Sequence, residues 1–134
     1  MIHVTCAIII DGSKVLVTQR SEAMKLPLKW EFPGGKVDLN ESAETCIRRE
    51  LIEELNIEVE LLERLTDSQF EYPTFTINLI PFVARVKAGQ LALHEHKAFE
   101  WLHPKELKAL DWAPADIPVL EQFMKSKYAV ERTL

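Results

Sequence analysis

The chain has 134 residues, 47% hydrophobic and 28% charged, and a net charge of −5. That length supports one domain with its own core, and an acidic balance with no basic stripe excludes a nucleic acid polymer as partner. No apolar run approaches the roughly 18–20 residues that cross a bilayer, and the N-terminus reads as a strand instead of a leader. A single cytoplasmic domain over 1–134, without membrane contact, is expected. Cys6 and Cys46 are expected as buried thiols ahead of a disulfide.

In chain order, Val4–Ile10 is β-branched and bounded by Asp11-Gly12, a hairpin signal, so Lys14–Arg20 reads as the returning strand. Ser21–Lys29, polar and broken by Pro27, reads as a loop. Trp30-Glu31-Phe32 is a short extended piece before a turn at Pro33-Gly34-Gly35. From Ser42 to Leu55 the pattern is helical: Ser42 as N-cap, Glu44 in the first turn, and Asn56 in the left-handed conformation that ends a helix. Ala43, Ile47, Leu51 and Leu55 form its buried stripe. Ile57–Phe70 and Phe75–Val86 read as two long strands joined at Tyr72-Pro73, and Phe99–Leu102 as another. A last helix is expected from about Asp116, as its cap, to Tyr128, with Pro118 tolerated in the first turn. The order β-β-α-β-β-β-α predicts an α+β fold, a mixed sheet sandwiched between helices.

Glu50, Glu53 and Glu54 stand at i, i+3 and i+4 and share one helix face. Their mean direction lies roughly 90° from the centre of the apolar stripe, so they border the buried face. Like charges so placed destabilise a helix by a few tenths of a kcal/mol per pair, and a hard divalent cation reverses that sign. A solvated acidic helix relieved by Arg48 and Arg49 is the competing reading.

The context decides between them. Gly35, Glu41, Arg49-Glu50-Leu51, Glu53-Glu54 and Asn56-Ile57 stand at the spacings of the Nudix signature, which the segment 35–57 resembles. One position departs: Asn56 replaces the family's usual glycine, and Asn tolerates the same left-handed backbone. The resemblance implies a Nudix fold. It also implies Mg²⁺, with Mn²⁺ as a substitute, held by Glu50, Glu53, Glu54 and the Gly34 carbonyl. Glu53 or Glu50 is then the catalytic base, Arg49 orients the acids, and Glu41 supports them from behind. The stretches WEFPGGKV (30–37), HEHKAFEWL (94–102) and APADIPVLEQF (113–123) are similar to the MutT branch, and within it to the CTP pyrophosphohydrolase type. By that likeness Glu95 reaches back to the metal. His94 and His96 read as loop residues or as supports behind the ligands, since an oxygen-rich magnesium site needs no imidazole.

The same likeness makes Arg20 a phosphate contact, a role that suits its forked donors, while Lys36 could add charge beside the diphosphate. Trp30 reads as packing. Guanine-directed MutT enzymes carry an amide where this chain has Asp116 and tend to carry a basic residue where it has Phe75. An ionised Asp116 only accepts hydrogen bonds, which suits the cytosine N4 amine. The implied reaction is NTP + H₂O → NMP + PPi, with cytosine nucleotides, modified dCTP included, expected ahead of 8-oxo-dGTP. Another nucleoside diphosphate derivative and a non-catalytic nucleotide sensor are the rivals, and either a monomer or a homodimer is compatible with the sequence.

Overall fold

The computed structural model describes residues 1–129. Its strands are β1 (Ile2–Asp11), β2 (Lys14–Gln19), β3 (Trp30–Glu31), β4 (Gly34–Lys36), β5 (Ile57–Arg64), β6 (Ser68–Tyr72), β7 (Phe75–Gly89) and β8 (Ala98–Leu102). The helices are α1 (Ala43–Leu55) and α2 (Ile117–Met124), with short 3-10 turns at Pro104–Ala109, Pro114–Asp116 and Lys127–Ala129. Strand order is β3-β2-β1-β7-β5, with β4 on β1, β6 on β7 and β8 on β2. The β1–β7 pairing is parallel and the others are antiparallel, so the sheet is mixed, as expected.

β1 carries the core on both faces because its side chains alternate. Cys6 and Ile8 join Val119, Leu120 and Phe123 of α2, whereas Ala7 and Ile9 join Ile47, Leu51 and Leu55 of α1. The sheet is thereby sandwiched between helices. Among the described residues no helix is long and apolar enough to cross a membrane. Both cysteines are buried and unpaired as thiols.

α1 begins and ends where its sequence signals it. The Ser42 hydroxyl accepts from the Thr45 N–H, and Asn56 takes φ 58° while its N–H closes on Ile52 and Leu51 carbonyls. The loop 90–97 satisfies further exposed carbonyls of the last turn, His94 N–H donating to Glu54 and Ala92 N–H to Leu55.

Five expectations fail, one of them being the reach of the last helix, which stops at Met124 short of Tyr128. Pro33-Gly34-Gly35 is not a free turn, since Gly34–Lys36 pairs with Val4–Cys6 as β4. A Cβ on Gly34 would collide with the Thr5 carbonyl, so glycine permits a close strand approach there. The expected strand 57–70 breaks at 65–67 because the Gln122 amide on α2 takes both Thr66 backbone groups, at 2.7 and 3.0 Å, in place of ladder partners. Tyr72 belongs to β6, and the turn itself is Pro73-Thr74. Asp116 does not cap α2: its backbone is helical, at φ −81°, and its carboxyl turns elsewhere.

The left-handed Asn56 yields a stability expectation. Asn56→Gly should stay within about 0.5 kcal/mol of wild type, whereas Asn56→Ala should cost about 1–2 kcal/mol. Urea unfolding midpoints check this, and equal midpoints for Gly and Ala would show that the left-handed backbone is not what selects the residue.

Candidate active site

α1 presents its acids against β4. A Cβ on Gly35 would run into the Glu50 carboxyl, so the second glycine makes room for that side chain. Arg49 sits at the centre. Its guanidinium grips Glu41 with two prongs, Nε to Oε2 at 2.7 Å and Nη2 to Oε1 at 2.9 Å. Nη1 reaches Glu50 at 3.0 Å and Glu53 at 3.2 Å, and Nη2 also donates to the Lys36 carbonyl at 3.3 Å. Hydrogen bonds from Arg49 and from the Asp38 backbone hold the Glu41 carboxyl down at about 2.

The other acids are less compensated. Burial raises the Glu50 carboxyl above its ordinary range despite Arg49. Glu54 is pushed up to about 8, first by burial and then by the charges of Glu50, Glu31 and Glu95. Its Oε2 is buried without a hydrogen-bond partner. Glu53 is exposed, at 58% for the side chain, and Glu95 is exposed on the loop before β8.

A buried, partnerless carboxyl oxygen among other carboxylates suits a hard divalent cation, which takes oxygen ligands and offsets their mutual repulsion. Glu50, Glu53, Glu54 and Glu95, with the Gly34 carbonyl, are the oxygen donors available to one. Among the described residues no three acidic, histidine or cysteine side chains already stand gathered at ligating distance. Glu50 and Glu53 are instead turned toward Arg49.

Beside this cluster lies a cavity of about 460 Å³ that brings together Arg20, Phe75 and Asp116 and adds Glu31 and Tyr72. Tyr72 and Phe75 stack at 5.1 Å with a 27° interplanar angle, and the Tyr72 hydroxyl accepts from Ala115 N–H at 3.3 Å. Lys36 is exposed on β4 and does not line the cavity. Asp116 is 7% exposed. Its Oδ2 accepts the Phe32 N–H at 2.9 Å, which leaves Oδ1 for a ligand. Burial, and then the charge of Glu31, raises its carboxyl well above the ordinary range. Asp116 therefore holds its proton more tightly than the ionised acceptor assumed from sequence, and a protonated carboxyl donates as well as accepts.

Glu31 joins the two regions. Its Oε1 takes Arg20 Nη1 at 2.7 Å and its Oε2 takes His96 Nε2 at 2.8 Å. Glu31, Tyr72 and His96 were not singled out as site residues from sequence. A glutamate in the extended piece directly before the glycine pair was a usable signal for Glu31. Nothing local distinguished buried His96 from exposed His94. A larger groove of about 750 Å³ beside α2, lined by Trp112, Leu120 and Met124, shares no residue with this region.

The NUDIX domain model matches residues 1–123. The chain is 40% identical over 129 residues to the CTP pyrophosphohydrolase of Escherichia coli, covering 96% of each. It is 32% identical to the 8-oxo-dGTP diphosphatase of Haemophilus influenzae, covering 88% of this chain and 87% of that one. Most of the other curated relatives also carry the 8-oxo-dGTP diphosphatase name. The solution structure of the E. coli ORF135 protein superposes with a TM-score of 0.80 at 41% identity, covering 92% of this chain and 89% of that one.

The raised Glu54 carboxyl fixes a pH dependence. The folded, metal-free protein keeps a proton up to about 8 that the unfolded chain releases near 4.5, so Glu54 costs increasing stability as pH rises between those values. Glu54→Gln should therefore melt a few degrees higher than wild type in EDTA at about pH 8–9, with little difference near pH 5. It should also gain less from added Mg²⁺. Thermal melts across that range check both, and parallel curves with and without metal would return Glu54 to an ordinary surface acid.

Proposed function

The chain belongs to the Nudix family of hydrolases, and from that premise we propose that it removes pyrophosphate from 8-oxo-dGTP. The coarser activity is that of a Nudix nucleoside triphosphate pyrophosphohydrolase, splitting NTP or dNTP to NMP and pyrophosphate, and family membership carries a divalent-cation requirement. The observation behind the substrate is the buried Asp116. With Oδ2 taken by Phe32 and its proton favoured by burial, its free edge offers one donor or acceptor, much as an asparagine amide does. An amide at this place is the feature by which the guanine-directed MutT branch was distinguished. Stacked Tyr72 and Phe75 supply a flat apolar wall for a base.

Cytosine nucleotides are the second reading. They rest on the 40% identity to a CTP pyrophosphohydrolase and require Asp116 to act as a pure acceptor toward the N4 amine.

In the mechanism proposed here Glu50, Glu53, Glu54 and Glu95, with the Gly34 carbonyl, hold the cation. When bound, the cation neutralises the polyphosphate and makes water a better nucleophile. Arg49 keeps the acids aligned through its grip on Glu41. Glu53, exposed and touched by a single Arg49 hydrogen bond, keeps lone pairs free to accept the water's proton. Glu50 is the alternative base, more constrained because it is buried against Gly35. Arg20 aims its guanidinium at the phosphates from the cavity rim, and Lys36, set on β4 next to the glycine pair, adds charge on the diphosphate side.

Activity is expected to vanish in excess EDTA and return with Mg²⁺ or Mn²⁺. Glu53→Gln should lower kcat by roughly 10²–10⁴ with the fold retained. For the base, kcat/KM for 8-oxo-dGTP, CTP and 5-methyl-dCTP in wild type and Asp116→Asn decides. A neutral Asp116 predicts that Asn keeps 8-oxo-dGTP turnover within about threefold, since a well-placed base contact is worth about 1–3 kcal/mol and is preserved. A wild type that prefers CTP, with that preference lost in Asp116→Asn, would establish the cytosine reading instead.

A further inference from the structure

His96 is the most deeply buried ionisable ring among the described residues, with a side-chain exposure of 0%. It lies in the loop 90–97, immediately after Glu95, far in sequence from everything it touches. Its Nε2 meets Glu31 Oε2 at 2.8 Å, and a carboxylate oxygen there requires Nε2 to be the donor. Its Nδ1 is buried with no partner. An apolar side chain of similar size would fill the same place without stranding a polar atom, so packing alone does not explain an imidazole there.

What the ring accomplishes is to complete the hold on Glu31. One carboxyl oxygen is fixed by His96 and the other by Arg20 Nη1 at 2.7 Å, with side chains of Glu31 and Arg20 only 14% and 20% exposed. A carboxylate pinned at both oxygens has one orientation, and the guanidinium paired with it is fixed in turn. Arg20 lines the nucleotide cavity, where its Nε donates to the Lys25 carbonyl, and the direction of its Nη1 end is set by Glu31 and through Glu31 by His96. The same buried ring anchors the loop whose His94 N–H donates to the Glu54 carbonyl at 3.2 Å, so that Glu95, between the two histidines, is set beside the end of the acidic helix. The loop is tied to the sheet on its other side by Lys97 N–H donating to the Gln19 carbonyl at 2.9 Å, one residue before Arg20.

We propose that His96 is a positioning residue that fixes Arg20 through Glu31 on the nucleotide side and seats Glu95 beside Glu54 on the acidic side. The inference rests on the pyrophosphohydrolase reading but not on which base is preferred. The ring acts as a hydrogen-bond donor in this role and transfers no proton to substrate.

The two amide replacements separate this role from simple packing. Glutamine places its amide nitrogen where Nε2 stands and can donate to Glu31, whereas asparagine reaches only the Nδ1 position, which has no partner. His96→Gln should therefore keep KM for any accepted nucleoside triphosphate within about threefold of wild type. His96→Asn should raise it about tenfold with a smaller change in kcat. In an Arg20→Ala background His96→Asn should add less than twofold, because the group it positions is gone. Mn²⁺ binding, followed by the loss of the free-ion electron paramagnetic resonance signal without substrate, should be weakened severalfold in His96→Asn and not in His96→Gln. Equal KM effects for Asn and Gln, or full additivity with Arg20→Ala, would overturn the proposal in favour of packing. Unchanged Mn²⁺ binding in His96→Asn would overturn the shared anchor. A wrong base assignment would leave all these ratios intact, since they are compared on whichever triphosphate the protein hydrolyses.

Discussion

Crowding of carboxylates on one side of the sheet is the constraint on which the rest of this structure turns. Glu31, Glu50, Glu54 and Glu95 are close enough that three of them raise the fourth, and burial adds to the cost. Folding tolerates this because two arginines are spent as fixed counter-ions. Arg49 gathers Glu41, Glu50 and Glu53, and Arg20 takes Glu31. Among the described residues Glu54 alone is left with a buried carboxyl oxygen that nothing satisfies. A site that is electrostatically incomplete in this way is poised for a cation, and the repulsion that weakens the metal-free fold is what favours binding.

The backbone is shaped to bring that cluster onto the sheet. Gly34 lets β4 lie against the β1 carbonyls, and Gly35 leaves the Glu50 carboxyl its space. Together they dock α1 so that Leu51 and Leu55 enter the core while the acids stay at its border. The loop before β8 closes over the helix end, and its amides answer carbonyls that the helix cannot satisfy itself. The helix, strand and loop are thus held by different kinds of contact.

The cavity that Asp116 lines draws on β1, β3, β6 and β7. Phe32, directly after Glu31, gives its N–H to Asp116 while its ring packs on Trp112 at 4.8 Å. Asp116 is thereby drawn from a capping position into the cavity wall, and the start of α2 forgoes a side-chain cap. A capping hydrogen bond is worth about 1 kcal/mol. Giving it up at an acid that lines the cavity fits the general pattern in which functional sites are not optimised for stability.

Residue spacing made the acidic helix and its caps legible, and likeness to the Nudix signature made its role legible, because those features are local: Ser42, Asn56, Glu50, Glu53 and Glu54 interact with neighbours a few positions away. The order of the expected elements likewise announced a mixed sheet between helices. Tertiary structure decided what depends on distant partners. Gln122 splits the long strand at Thr66, 56 positions away. Glu31 finds His96 across 65 positions, and Asp116 finds Phe32 across 84. Burial, a property of the whole fold, raises the Asp116 carboxyl above its ordinary range, so the sequence could name the residue but not its surroundings. Local pattern fixes which groups are present and how they are spaced along the chain; only packing sets which of them lose water, and with that their charge and their partners.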